Sequence, residues 1–234
     1  MIDHYDWAGG REAMLRFGPD HGPVVVLAMP LFEEANRMRS LATTLLRLLA
    51  DEGIGGALPD LPGAGESEKS LEEDSLSTWQ VSFSSAVCAA TSGRSGHVAG
   101  LRGGCLVTGS AAARSRWLMS PVGGEAIVRD LVRARQAADR EAGAVFDPGT
   151  IDLDGPPIEL AGHVLPRQLL RSLRTAEPDV AAPCRVIRLD SDRRPADRHI
   201  AGAPLWRQSE PGDDPALAAT LAADLAQWVR QCAG

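Results

Sequence analysis

The 234-residue sequence predicts an α/β fold built on a mostly parallel sheet, doubly wound by helices. Three observations carry this. Residues 24–29 and 54–58 are short apolar runs of the kind that form strands buried on both faces. Helix-period segments separate them, so strand and helix alternate from residue 24 to Val122, an order that right-handed crossovers convert into a parallel sheet. A third apolar run, 96–101, ends in the turn Gly100-Leu101-Arg102-Gly103-Gly104, whose glycines allow a strand to turn sharply into a helix.

In chain order, residues 1–17 read as a β-hairpin turning at Gly9-Gly10, and 18–23 as a loop of Gly, Pro and Asp. Met38, Leu41, Leu45, Leu48 and Leu49 recur at three- and four-residue spacing, a helix that Gly53 closes. A second helix is predicted from Ser77 to Thr91 with Trp79, Phe83 and Val87 on one face, and a third over 103–113. A strand is expected at 116–122. The regular alternation then breaks. Residues 123–142 form an amphipathic helix with Ile127, Leu131 and Val132 inward, 158–164 a short strand and 165–174 a helix, and the block 123–178 is expected to be a small cap inserted in a single domain spanning 1–234. The sheet resumes at 184–189, and 203–208 is expected to be the last strand. Asp214-Pro215 opens a C-terminal helix with Leu217, Leu221, Leu225 and either Trp228 or Val229 on its stripe.

Aromatic residues make up only 4% of the chain, so the core must be built from aliphatic side chains. The net charge of −7 argues against a nucleic-acid surface. Cys88, Cys105, Cys184 and Cys232 are scattered and expected to be buried free thiols, no ligand spacing for a metal is present, and no cofactor is expected. No signal peptide is visible and no apolar run approaches the roughly 20 residues of a transmembrane helix, so a soluble cytoplasmic protein is expected.

Together these motifs resemble the α/β-hydrolase superfamily, and more narrowly its exosortase A system-associated hydrolase 2 group. Pro30-Leu31-Phe32-Glu33-Glu34-Ala35-Asn36-Arg37-Met38-Arg39 is similar to the group's P-F-x-E-E-x-N-x-x-R-R stretch, and Asp60-Leu61-Pro62-Gly63-Ala64-Gly65-Glu66-Ser67 to the loop D-x-x-G-x-G-x-S. Gly100-Leu101-Arg102-Gly103-Gly104 is similar to the group's G-L-R-x-G, in which arginine replaces the serine of the superfamily's G-x-S-x-G nucleophile elbow. The resemblance implies a bacterial protein linked to exopolysaccharide production and exosortase-dependent sorting, with a protein of that system as a possible partner.

Hydrolase chemistry needs a nucleophile, a histidine base, an acid to orient it and an oxyanion hole. Arg102 is no nucleophile, because a guanidinium stays protonated and only donates. Asp190, after the apolar run 184–189, is the candidate acid, with Asp192 as neighbour. The loop 209–214, where the histidine is expected, has none; His199 precedes the expected last strand. Cys105 reads as a core residue. Two readings of Arg102 stand: a bidentate pair with Glu33 or Glu34, or, with Leu31, Asn36, Arg37, Leu101 and Gly103 around it, a pocket for a small anionic or ester-like ligand. The expectation is an inactive or non-classical hydrolase that binds a ligand or partner; the alternative is an esterase or thioesterase with an atypical catalytic set.

Overall fold

The hairpin forms as the glycines dictate. β1 (Ile2–Trp7) and β2 (Gly10–Phe17) pair antiparallel, with Trp7 opposite Gly10. The computed structural model describes residues 1–233, with the side chain of Glu73 left aside. The apolar runs become β3 (Val24–Ala28), β4 (Gly55–Pro59) and β5 (Gly96–Leu101), every residue of which is buried. Between them lie α1 (Glu33–Asp51) and α2 (Leu76–Thr91). Ser75 caps α2 by accepting from the Thr78 N–H at 3.0 Å, which fixes its start.

After β6 (Arg116–Met119) comes the segment that interrupts the alternation: α3 (Gly124–Glu141), a hairpin of β7 (Ile158–Leu160) and β8 (His163–Leu165), and α4 (Arg167–Arg174). The single strand expected at 158–164 is two, because Ala161 and Gly162 both take positive φ (52° and 82°), the geometry of a tight hairpin turn. β9 (Cys184–Leu189) and β10 (Arg198–Ile200) complete the sheet, and α5 (Pro215–Cys232) closes the chain, capped by Asp214 through the Leu217 N–H at 2.9 Å.

The sheet order is β1-β2-β4-β3-β5-β6-β9-β10, parallel from β4 to β10. This eight-stranded sheet flanked by helices is the α/β-hydrolase fold. α1 and α5 pack together on one face around Leu41, Leu45, Leu221 and Leu225; Val229, not Trp228, completes the buried stripe of α5. α2 covers the other face with Trp79, Phe83 and Val87, and α4 packs against both α2 and α3 on that side. Among the described residues, no helix is long and apolar enough to cross a membrane.

Three further sequence expectations are corrected. The helix at 103–113 is only a 3-10 turn, Arg102–Leu106, because two glycines open it and helical glycine costs about 1 kcal/mol each. The last strand is β10, and the segment 203–208 is instead a 3-10 turn, Leu205–Arg207, preceded by Pro204, which has no N–H to give a ladder. Cys88 is exposed on α2; Cys105 is buried and Cys184 and Cys232 are half-buried.

One buried titratable group on β5 gives the fold a pH signature. His97 lies between Ser115 Oγ at 2.9 Å from Nδ1 and Ser95 Oγ at 3.2 Å from Nε2. Burial, helped by the positive charge of Arg114, pushes its pKa down to about 4. The unfolded chain, with an imidazole near 6.5, therefore takes up the proton first as pH falls. This contribution to stability is complete above about pH 6.5 and lost progressively toward pH 4. Urea unfolding of wild type and His97→Asn from pH 7.5 to 4.5 is expected to show the wild type losing about 2 kcal/mol more than the variant. Parallel curves would contradict the assignment.

Candidate functional site

The site follows from strand order. β3 and β5 are neighbours, Ala28 opposite Gly100, yet the chain leaves β3 for β4 on one side and leaves β5 for β6 on the other. The loops beyond their carboxyl ends diverge, and ligands in open α/β sheets bind in the crevice left there. Three non-glycine residues around it take positive φ: Phe32 (57°) after β3, Arg102 (54°) after β5 and Ser120 (47°) after β6. Such backbone costs about 1 kcal/mol or more at each position and clusters at functional sites. The turn presses against β3, since a side chain on Gly104 would overlap the Met29 carbonyl oxygen.

Arg102 therefore sits on an elbow, but its guanidinium is enclosed. Nη2 and Nε donate to Glu34 Oε1 and Oε2 at 2.9 and 3.2 Å, a bidentate pair, and Nη1 reaches the Ser120 carbonyl at 3.4 Å. The Trp206 ring lies over the guanidinium, 4.4 Å from its centroid to Cζ, and Arg102 is 9% exposed. Glu34 lies in the first turn of α1, where the helix dipole favours a carboxylate. Trp206 occupies the turn between β10 and α5, just ahead of the loop 209–214, and Arg37 Nη1 holds its carbonyl at 3.1 Å.

The other residues singled out in the sequence distribute as follows. Glu33, half-exposed, turns away from Arg102 toward His163 of β8, with Oε1 3.4 Å from Nε2. Leu31 is buried and packs against Gly103, on which a Cβ would stand 3.2 Å from Leu31 Cγ. Leu101 is buried in the core with the α1 and α5 side chains and lines neither of the cavities around Arg102. Asn36 lines a separate cavity of about 230 Å³ with Arg39 and Asp60. Asp190 is exposed, and its backbone N–H donates to the Ile200 carbonyl at 2.8 Å. Asp192 is held by Arg194 Nη2 at 2.7 Å and Arg188 Nη1 at 2.9 Å, contacts that keep its carboxyl well below the usual range. Cys105 is fully buried, and burial pushes its thiol far above the usual range, so it is no thiolate. His199 is on β10, exposed, its Nε2 3.1 Å from the Arg194 carbonyl.

Two cavities meet at Trp206. One, about 350 Å³, lies between the β3 loop and α3 and is walled by Leu31, Phe32, Ile127 and Leu131. The second, about 520 Å³, runs from Trp206 across α3 to the β9–β10 loop and is lined by arginines. Trp206 itself escaped sequence reasoning. The available signal was a tryptophan, in a chain with five, standing in the loop before the last helix.

No protein-family model and no curated protein sequence matches the chain. Among solved structures it is similar to alpha/beta hydrolase domain-containing protein 10 from mouse, with a TM-score of 0.61 and 12% identity over 99% of each chain. It is similar to a thermophilic esterase from Thermogutta terrifontis (TM-score 0.57, 12% identity, 100% of each chain). The bottromycin epimerase BotH is another likeness, at TM-score 0.52 and 16% identity over 100% of this chain and 98% of that one. These likenesses define the class: a protein of the α/β-hydrolase fold.

The enclosed guanidinium makes the position intolerant of a mere positive charge. Lysine offers neither the fork that grips both Glu34 oxygens nor a plane to lie against Trp206. Arg102→Lys is expected to lower unfolding stability by about 1–3 kcal/mol in urea titration, and Arg102→Ser by at least as much. A lysine variant within 0.5 kcal/mol of wild type would contradict the geometry.

Proposed function

We propose that this chain keeps the α/β-hydrolase fold while binding a ligand or partner without ester hydrolysis. The observation that carries this reading is the state of the elbow. A nucleophile there must face substrate and meet a base. Arg102 instead is tied to Glu34 and covered by Trp206. Asp192, beside the same cleft, spends its hydrogen bonds on Arg188 and Arg194, and Asp190 faces solvent. In this reading the segment 123–178 is a cap: α3 supplies Ile127 and Leu131 as the wall opposite the β3 loop, and His163 of β8 meets Glu33 beneath it. The motif resemblance supports a cytoplasmic role in an exosortase-linked polysaccharide system, with one of its proteins or a small anionic or ester-like compound as the occupant. A solved structure named as an epimerase on the same fold supports a role other than hydrolysis.

One observation favours the competing reading of an esterase or thioesterase with an atypical catalytic set: the left-handed backbone of Arg102, which preserves the strain of a working elbow. A panel of p-nitrophenyl esters and acyl thioesters separates the two. Wild type and Arg102→Ser are both expected to stay at the buffer rate, since a serine there still meets no base. Wild-type turnover that Asp190→Ala or Asp192→Ala abolishes would overturn the proposal.

A further inference from the structure

The second cavity carries a charge distribution that the fold does not need. Its wall holds five arginines (Arg102, Arg129, Arg193, Arg194 and Arg207) against Asp130 and Asp192, a local net charge of +3 on a chain of net charge −7. Arg102 and Arg194 are neutralised by Glu34 and Asp192. Arg129, Arg193 and Arg207 are exposed, and among the described residues no carboxylate stands within ion-pair distance of any of them. They come from three separate segments: α3, the β9–β10 loop and the turn before α5. Asp130, the remaining acid, stands 3.7 Å from Arg133 on its own helix.

Three unpaired guanidiniums converging on one cleft focus a positive potential there and offer planar forks matched to carboxylate or phosphate oxygens. The cleft does not end at the arginines. It shares Arg102, Val122, Asp130, Trp206 and Arg207 with the 350 Å³ cavity, whose other walls are apolar apart from Glu33, Glu34 and Arg37 of α1. That volume lies in the range of small-ligand pockets, and Trp206 stands at the junction.

We infer that the paired cavities bind a small amphiphile with an anionic head, the head held by Arg129, Arg193 and Arg207 and the apolar tail beside Leu31, Phe32, Ile127 and Leu131. The inference rests on the ligand-binding reading above, and it is independent of whether catalysis is absent.

The test uses the full chain, with calorimetry and tryptophan fluorescence as readouts. Its probes are octyl phosphate, octanoate, 1-octanol and inorganic phosphate, the amphiphiles kept below micelle concentration. At least one octyl anion is expected to bind saturably, ten times or more tighter than octanol and than inorganic phosphate. The tighter of the two octyl anions identifies the head as phosphate or carboxylate. The triple variant Arg129→Gln/Arg193→Gln/Arg207→Gln is expected to lose tenfold or more for that anion and nothing for octanol. Its melting temperature is expected to be unchanged, because the three side chains make no ion pair in the folded protein.

Octanol binding as tightly as the anions, or a triple variant that keeps anion affinity, would overturn the anionic head. Binding confined to phosphatidylglycerol vesicles, with none to the free octyl compounds, would also overturn it. Failure of every octyl compound, octanol included, would overturn this inference and the small-ligand reading together. Hydrolysis of an octyl ester alongside arginine-dependent binding would overturn the non-hydrolytic proposal alone.

Discussion

A guanidinium set in a left-handed turn at the carboxyl end of a central strand is withdrawn from water, and it stays charged. Its position therefore depends on a counter-charge, which Glu34 supplies through two hydrogen bonds from the first turn of α1. Trp206 then covers the plane of the guanidinium from the loop before α5. Breaking a buried pair of this kind exposes the cost of an uncompensated charge, about 3–5 kcal/mol when both groups are fully buried. The value here is smaller, because the Glu34 side chain is 24% exposed and water reaches it. The same contacts that hold the elbow rigid also remove its side chain from reach, so one interaction ties the stability of the crevice to the chemistry proposed for it.

That interaction is possible only because the rest of the sheet holds its three contributors in place. The β3–β5 pairing brings the start of α1 against the elbow. The loop carrying Trp206 is fixed from the other side through α5. There the buried Asp224 accepts from Trp117 Nε1 of β6 at 2.9 Å, from Arg185 Nη2 of β9 at 2.8 Å and from Arg198 Nη1 of β10 at 2.9 Å. Burial pushes this carboxyl upward, but hydrogen bonds from Arg185, Trp117 and Arg198 outweigh it and bring the pKa down to about 2. One carboxylate thus ties the last helix to three strands.

The fold was largely legible because its signals are local and periodic. The buried runs of β3, β4 and β9, the aliphatic stripe of α1 and the Asp214-Pro215 start of α5 each need only a few neighbouring residues to be read. The elbow was legible as a turn, and the Arg102–glutamate pair was one of two readings open in the sequence. Which glutamate it takes was not legible, since Glu33 and Glu34 point to different sides of one helical turn and only the packed β8 hairpin shows that His163 faces the former. The apolar residues of segment 203–208 suit a strand, whereas Pro204 and the pairing of β9 with Arg198–Ile200 leave no ladder for it. Trp206 over Arg102 and the convergence of Arg129, Arg193 and Arg207 join residues far apart in the chain, and no spacing rule encodes such contacts.

The most direct measurement of the central claim is the coupling energy between Arg102 and Glu34. A double-mutant cycle of Arg102→Ala and Glu34→Ala, read by urea unfolding at low salt, isolates the pairwise term from the loss of each side chain. A closed, bidentate pair under Trp206 predicts a coupling of about 1.5–3 kcal/mol. A coupling below about 0.5 kcal/mol, the value of an exposed surface pair, would mean that the guanidinium is free at the elbow and would contradict the account.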